Sequence, residues 1–166
     1  MSDFDPRRIL LTLLDHGVDF VVIGAGAAIL HGVPLKPTLD MDITAATNKR
    51  NLERLAAALR ELDATLRVPD RTERISVPLD ERMLRNVSVL TLSTPHGPFD
   101  VLFEPAGAPS YDDLRERSVE VPAYGAAIRA AAVADIVAMK RAAGREKDAA
   151  HLDVLMEFLR EQERRT

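Results

Sequence analysis

Asp40 and Asp42 stand two residues apart in Thr38-Leu39-Asp40-Met41-Asp42-Ile43-Thr44. Leu39, Met41 and Ile43 alternate with the polar positions, which is the period of a strand with one apolar and one polar face, so both carboxylates are expected on the same side. Two such groups lie about 7 Å apart along a strand, and they repel each other unless a cation or water stands between them. Mg²⁺ suits the pair, because it takes carboxylate and phosphate oxygens in an octahedral shell and keeps some of its waters. Asp100, in Phe99-Asp100-Val101-Leu102-Phe103, is the candidate third carboxylate: Phe99 and Val101 take the opposite face, and this strand can lie beside the first. The competing account makes all three ordinary solvent-facing strand residues, but aspartate is depleted in strands and three on two otherwise apolar ones argue against it.

A second chemical feature precedes the first. Phe20–Ile23, a buried strand by composition, runs into Gly24-Ala25-Gly26 and then a helix. A dinucleotide fingerprint needs a third glycine where the helix presses on the strand, and that position is Ile29. Its ribose-binding acid would follow alone on the second strand, whereas here the acids come as a pair. Backbone N–H groups at the start of the helix remain suited to phosphate.

The elements that must position these groups follow from periodicity and punctuation. Asp5-Pro6 opens a helix carrying Ile9, Leu10, Leu13 and Leu14, which Gly17 ends. Ala25–His31 reads as a helix closed by Gly32, and Pro34 and Pro37 stiffen the loop that leads to a strand over Leu39–Thr44. Asn48–Leu62 is a helix capped by Thr47, with Leu52, Leu55, Ala56 and Leu59 inward. The charged stretch Asp63–Asn86 shows only a weak strand signal at Ile75–Val77, and its arginines Arg67, Arg71, Arg74, Arg82 and Arg85 read as a solvated loop. Val87–Thr94 and Phe99–Glu104 flank a Pro/Gly turn as a hairpin. Ser110 caps a short helix to Arg117, a strand follows near Val119–Val121, and Ala134–Glu163 is helical with a break near Gly144. Helices and strands mix without strict alternation, which predicts an α+β (mixed α/β) fold: a mixed twisted sheet flanked by helices, with a C-terminal helical segment.

The 166 residues, 46% hydrophobic, can bury the core of one ordinary domain. The expectation is a single domain over 1–166, with 1–133 as the catalytic sheet core and 134–166 as the helical segment. The absence of cysteine excludes disulfides and cysteine-based zinc sites and agrees with a reducing cytoplasm. A net charge of -4 argues against nonspecific coating of nucleic acid without excluding a local basic patch. The N-terminal MSDFDPRR lacks the order of a signal peptide and no apolar run approaches a membrane span, so a soluble protein without a membrane partner is expected.

The strand, Gly24-Ala25-Gly26, the helix, Asp40-x-Asp42 and the later Phe99-Asp100-Val101-Leu102 together resemble the nucleotidyltransferase superfamily of the DNA polymerase β type. Its pattern is an apolar residue, Gly, then Gly or Ser, a spacer, Asp-x-Asp, and a third acid on a later strand. Gly24, Asp40, Asp42 and Asp100 match; Ala25 departs, although a small residue is kept and Gly26 lies one place on. LHGVPLKPTLDMDI with VADIVAMKRAAGREKDAAHLDVL is further similar to small bacterial nucleotidyltransferases that include toxins of toxin-antitoxin pairs of the AbiEii and MenT kind.

The resemblance implies a nucleotidyltransferase that moves a nucleoside monophosphate from an NTP to an acceptor. It carries over Asp40 and Asp42 as Mg²⁺ (or Mn²⁺) ligands, and Asp100 as third ligand or as the base that takes the acceptor proton. Lys140 would contact the triphosphate as a point charge. Gly24, Ala25, Gly26, Lys36 and Thr38 would line the nucleotide, and Arg145 and Lys147 would bind phosphate or RNA backbone with Asp148 orienting one of them. The first expectation for the acceptor is the 3′ end of tRNA, with a pyrimidine nucleotide among the NTPs to be considered, translation and growth blocked, and a cognate antitoxin as partner. In toxins of this kind the hydroxyl two before the first Asp, here Thr38, is also a point of inactivation by phosphorylation. Two alternatives stand beside this: AMP transfer to a protein or an aminoglycoside, and a catalytically inactive nucleotide-binding or antitoxin-like module, supported by Ala25 alone. His31 and His151 lack a partner at metal-ligand spacing and are expected to be surface or satisfied core residues.

Overall fold

The computed structural model describes residues 4–68, 70 and 72–166; Arg71 thus lies outside the described residues. The chain forms two compact units that interleave in sequence, Met1–Phe20 with Leu39–Glu104 and Val21–Thr38 with Pro105–Thr166.

In the first unit, helix α1 (Pro6–Asp15) starts where expected: the Asp5 side chain accepts a hydrogen bond from the Arg8 N–H (3.3 Å), and Pro6 occupies the first turn, where a missing N–H costs nothing. Ile9, Leu10 and Leu13 are fully buried, and α1 packs on α3 (Lys49–Glu61). The cap of α3 is Asn48, whose Oδ1 accepts from the Asn51 N–H (2.9 Å), and not Thr47. Strands β2 (Met41–Ala45), β3 (Thr65–Arg67), β4 (Arg74–Ile75), β5 (Val89–Thr94) and β6 (Gly97–Leu102) lie in the order β4-β3-β5-β6-β2, with β2 and β6 parallel and the others antiparallel.

Alternation sorts the two faces. Met41, Ile43, Leu90, Leu92, Phe99 and Val101 are buried, each fully buried aliphatic or aromatic side chain contributing about 1.5–3 kcal/mol, while Asp42, Thr91 and Asp100 point the other way and are half-buried. The hairpin β5–β6 turns through Pro95-His96, and its second strand begins at Gly97, two residues earlier than Phe99.

The charged stretch 63–86 holds more structure than its composition suggested: besides β3 and β4 it contains α4 (Glu81–Arg85), capped by Asp80 and anchored by fully buried Leu84. The anticipated strand at Leu39 begins at Met41 instead; Leu39 and Asp40 form a bend, and Thr38 lies in the loop before it.

The second unit is built on β1 (Phe20–Ile23), β7 (Val119–Ala123) and β8 (Ala126–Ala130), β8 running parallel to β1 and antiparallel to β7. Tyr124 and Gly125, both at positive φ (56° and 76°), turn the β7–β8 hairpin. Strand β8, Ala-Ala-Ile-Arg-Ala, was not apparent in the sequence. Helices α2 (Gly24–Leu30), α5 (Tyr111–Arg117), α6 (Val133–Ala143) and α7 (Glu146–Arg165) complete the unit. The helical segment expected from Ala134 is two helices, because Gly144 adopts the left-handed conformation (φ 61°) and donates to the Lys140 carbonyl as a C-terminal stop. Among the described residues no helix is long and apolar enough to cross a membrane.

Candidate active site

Parallel pairing of β2 with β6 sets Met41 against Phe99, Asp42 against Asp100 and Ile43 against Val101. The two aspartates are therefore direct cross-strand neighbours on the half-buried face, closer than two acids spaced along one strand. Thr91 of β5 is the partner of Asp100 on its other side, and the β3–β5 ladder, with Leu66 against Leu92, brings Arg67 to the same rung at its next step. Arg67 Nη2 donates to Asp100 Oδ1 at 3.2 Å. A row of polar side chains, Asp42, Asp100, Thr91 and Arg67, thus crosses four strands.

Asp40 is half-buried in the bend ahead of β2, outside the strand whose alternation would have aligned it with Asp42. Among the described residues no group of three or more His, Cys, Asp or Glu is gathered so that it could hold a metal ion. The Asp42–Asp100 pair fits Mg²⁺ or Mn²⁺ by its donor chemistry: Mg²⁺ is commonly bound through one or two carboxylates, with waters and substrate phosphates filling the remaining positions.

The remaining expected residues belong to the second unit. Gly24, at φ 68°, opens α2, with Ala25 and Gly26 half-buried in its first turn. Lys36 is exposed and Thr38 half-buried in the loop that follows Val33. His31 donates through Nε2 to the Ala131 carbonyl (2.8 Å), as befits a satisfied histidine, since a carbonyl can only accept.

Lys140, expected to contact the triphosphate, lies buried between α6 and α7. Its side chain is 7% exposed, and Nζ donates to Asp148 Oδ1 (3.2 Å) and to His151 Nδ1 (3.2 Å), joining α6 to α7. Arg145 closes the cluster from outside, Nε on Asp148 Oδ2 (2.8 Å) and Nη2 on Oδ1 (3.4 Å). Burial pushes the Asp148 carboxyl up, but hydrogen bonds from Arg145 and Lys140 together outweigh it and leave it below the usual carboxylate range. Burial, then the ammonium of Lys140, hold His151 below its ordinary value against the opposing pull of Asp148. His151 is accordingly neutral, and its Nδ1 is the acceptor. A related clasp fixes α5 to α6, where Arg117 forks onto buried Asp135 (3.0 and 2.7 Å) and has its own pKa raised by that bond.

Two members of these clusters escaped the sequence. Arg67 sat in a stretch read as solvated loop, where Leu66 between Thr65 and Arg67 is too short an alternation to announce a strand. His151 was legible in principle, because Asp148, His151, Leu152 and Leu155 share a helix face.

No protein-family model matches the chain, and no curated protein matches it. Solved structures do match its fold. A Thermotoga maritima protein described as a nucleotidyltransferase superposes with a TM-score of 0.55 at 17% identity, over 94% of this chain and 91% of its own. The antibiotic-resistance factor ANT(2″)-Ia, solved in complex with adenylyl-2″-tobramycin, gives 0.60 at 13% identity over 93% and 87%. The chain has the nucleotidyltransferase fold, the mixed α+β architecture expected from its sequence.

Proposed function

We propose that this protein is a metal-dependent nucleotidyltransferase that moves a nucleoside monophosphate from an NTP to an acceptor hydroxyl. The observation that carries the reading is the in-register Asp42–Asp100 pair on a fold shared with nucleotidyltransferases. In this reaction the acceptor oxygen forms a bond to the α-phosphorus, the bond from that phosphorus to the bridging oxygen breaks, and pyrophosphate leaves with the electron pair. Asp42 and Asp100, with Asp40 joining from the bend, would hold Mg²⁺ or Mn²⁺, which when bound neutralises charge on the phosphates. Asp100 serves either as ligand or as the base that receives the acceptor proton. Gly24, Ala25 and Gly26 are assigned to the phosphates through backbone N–H groups, and Lys36 and Thr38 to the approach of the nucleotide. Lys140 and Asp148, in view of their burial and pairing, and Arg145, which closes on Asp148 from outside, are read as the clasp that holds α6 on α7.

For the acceptor, the motif resemblance to the AbiEii and MenT kind favours the 3′ end of tRNA and a toxin role countered by an antitoxin, with Thr38 as a site of inactivating modification. A second reading, AMP transfer to an aminoglycoside, is supported by the fold likeness to ANT(2″)-Ia. One experiment separates them: the purified protein is incubated with Mg²⁺ and each α-labelled NTP, with total bacterial tRNA or tobramycin, beside an Asp42→Ala control. Label on tRNA from the wild type alone supports the first reading, and label on tobramycin the second. NTP binding without transfer to either would overturn both in favour of a catalytically silent module.

A further inference from the structure

The Asp42–Asp100 pair already meets a cation of the protein's own. Arg67, on β3 and two strands away, spans the rung through Thr91 to place Nη2 3.2 Å from Asp100 Oδ1. Its side chain remains 35% exposed and that of Asp100 22%, so the pair lies at the rim of the half-buried face, where the guanidinium can swing without breaking the core. A divalent cation on the same carboxylate would stand beside the guanidinium as a second positive charge, and the two repel. A guanidinium is also a planar fork that matches phosphate.

We infer that Arg67 occupies Asp100 until metal and nucleotide arrive together, then yields the carboxylate and transfers its hydrogen bond to a substrate phosphate. This rests on the nucleotidyltransferase reading of the same site. Arg67 thereby weakens the binding of a bare cation and ties cation affinity to nucleotide: entry of the cation alone strands the guanidinium, whereas entry with phosphates gives it a new anionic partner.

The test measures Mn²⁺ binding to the full chain by electron paramagnetic resonance, with and without a non-hydrolysable NTP analogue, in wild type, Arg67→Gln, Arg67→Lys and Asp100→Asn. Thermal melts check that each variant is folded. Arg67→Gln is expected to bind Mn²⁺ alone roughly tenfold more tightly, the scale of one positive charge acting on a divalent ion across about 6 Å of well-screened space. The tightening by the nucleotide analogue should shrink in this variant, and Arg67→Lys, which keeps the charge, should stay near wild type. Mn²⁺ affinity unchanged or reduced in Arg67→Gln overturns the inference while leaving the metal-site reading intact, provided wild type binds and Asp100→Asn does not. Equal tightening in Arg67→Lys and Arg67→Gln also overturns it, because charge is then not the cause. Absence of Mn²⁺ binding in every protein, with or without nucleotide, removes the metal-site reading and the inference together.

Discussion

Replacing Lys140 by Met separates two accounts of this lysine that the sequence and the structure support differently. A solvated lysine reaching for a triphosphate would be lost at little structural cost, since exposed ion pairs contribute about 0–1 kcal/mol. Lys140 and Asp148 are instead 7% and 2% exposed at the side chain, paired at 3.2 Å. Removing one partner of a buried pair costs about 3–5 kcal/mol, because the other charge stays buried. Arg145 still donates to both oxygens of Asp148, which places the expectation near the low end, at about 3 kcal/mol. Methionine keeps the length and apolar body of the stem, so the loss reports the ammonium. Urea denaturation at neutral pH measures it, and the double variant Lys140→Met/Asp148→Leu should recover most of the loss by removing both charges. Acid titration gives an independent check. The lowered carboxyl of Asp148 contributes stability that is present above its unfolded pKa and is lost as pH falls through its lower folded one. Without Lys140, burial opposes the charge with less compensation, so the variant should lose stability at a higher pH than wild type. If Lys140→Met stays within 0.5 kcal/mol of wild type, a value near the resolution of such measurements, and raises KM for NTP, the clasp assignment is refuted and the phosphate contact restored.

Three further substitutions probe other joints. The neutral state of His151 contributes stability that is full above its unfolded pKa and declines as pH falls toward its depressed folded value, so His151→Gln should flatten the pH dependence of unfolding below about pH 6.5, by up to about 1.4 kcal/mol per pH unit, in urea titrations from pH 8 to 5. Buried Asn51 accepts from the Asp19 N–H (2.7 Å) and donates to the carbonyls of Asp19 (3.0 Å) and Ala46 (2.7 Å), tying α3 to Asp19 and to the residue that follows β2; Asn51→Ala should destabilise by about 3 kcal/mol in chemical denaturation, about one for each orphaned backbone group. At Gly107, φ 77°, a Cβ would stand 2.6 Å from Ala142 Cβ and 2.7 Å from the Ala138 carbonyl oxygen; Gly107→Ala should lower the melting temperature, and Ala142→Gly should not rescue it, because the second clash is with backbone.

Much of this arrangement is written in short-range signals. The Asp5-Pro6 start, the Ser110 cap, the hairpin about Pro95-His96 and the Gly144 break are local, and each appears where its residues predict it. What escaped depends on partners distant in the chain. Three of the five residues of strand β8 are alanine, with little β preference of their own, and the strand takes its form by pairing with β1 and β7. Strand β3 is only three residues, Thr65–Arg67, too short to announce itself, and is stabilised by β5 and β4 on either side. The same dependence explains the site: the Asp100 position was legible as one polar residue in an apolar strand, but the register that seats it against Asp42, and Arg67 against it, belongs to the sheet and not to either segment.

The bend at Asp40 makes the carboxylate count itself testable. Strand alternation would have placed Asp40 and Asp42 on one face, but β2 begins at Met41, and among the described residues no three acids are assembled as a ligand set. Asp42 and Asp100 are held by three consecutive register pairs and flanked by fully or nearly fully buried side chains, so their separation is fixed by the sheet. Asp40 is fixed by a bend beside Leu39, which is 75% exposed. A cation bound before substrate should therefore depend on the pair, and Asp40 should matter once nucleotide phosphates share the metal's shell. For Mn²⁺ binding in the absence of nucleotide, Asp42→Asn and Asp100→Asn are expected to abolish the signal and Asp40→Asn to weaken it by less than about tenfold, the effect of losing one screened charge. Transfer activity should fall in all three. Equal loss of nucleotide-free Mn²⁺ binding in Asp40→Asn and Asp42→Asn would show that the bend delivers a third ligand before substrate arrives, and would return the site to the three-carboxylate form that the spacing Asp40-x-Asp42 first suggests.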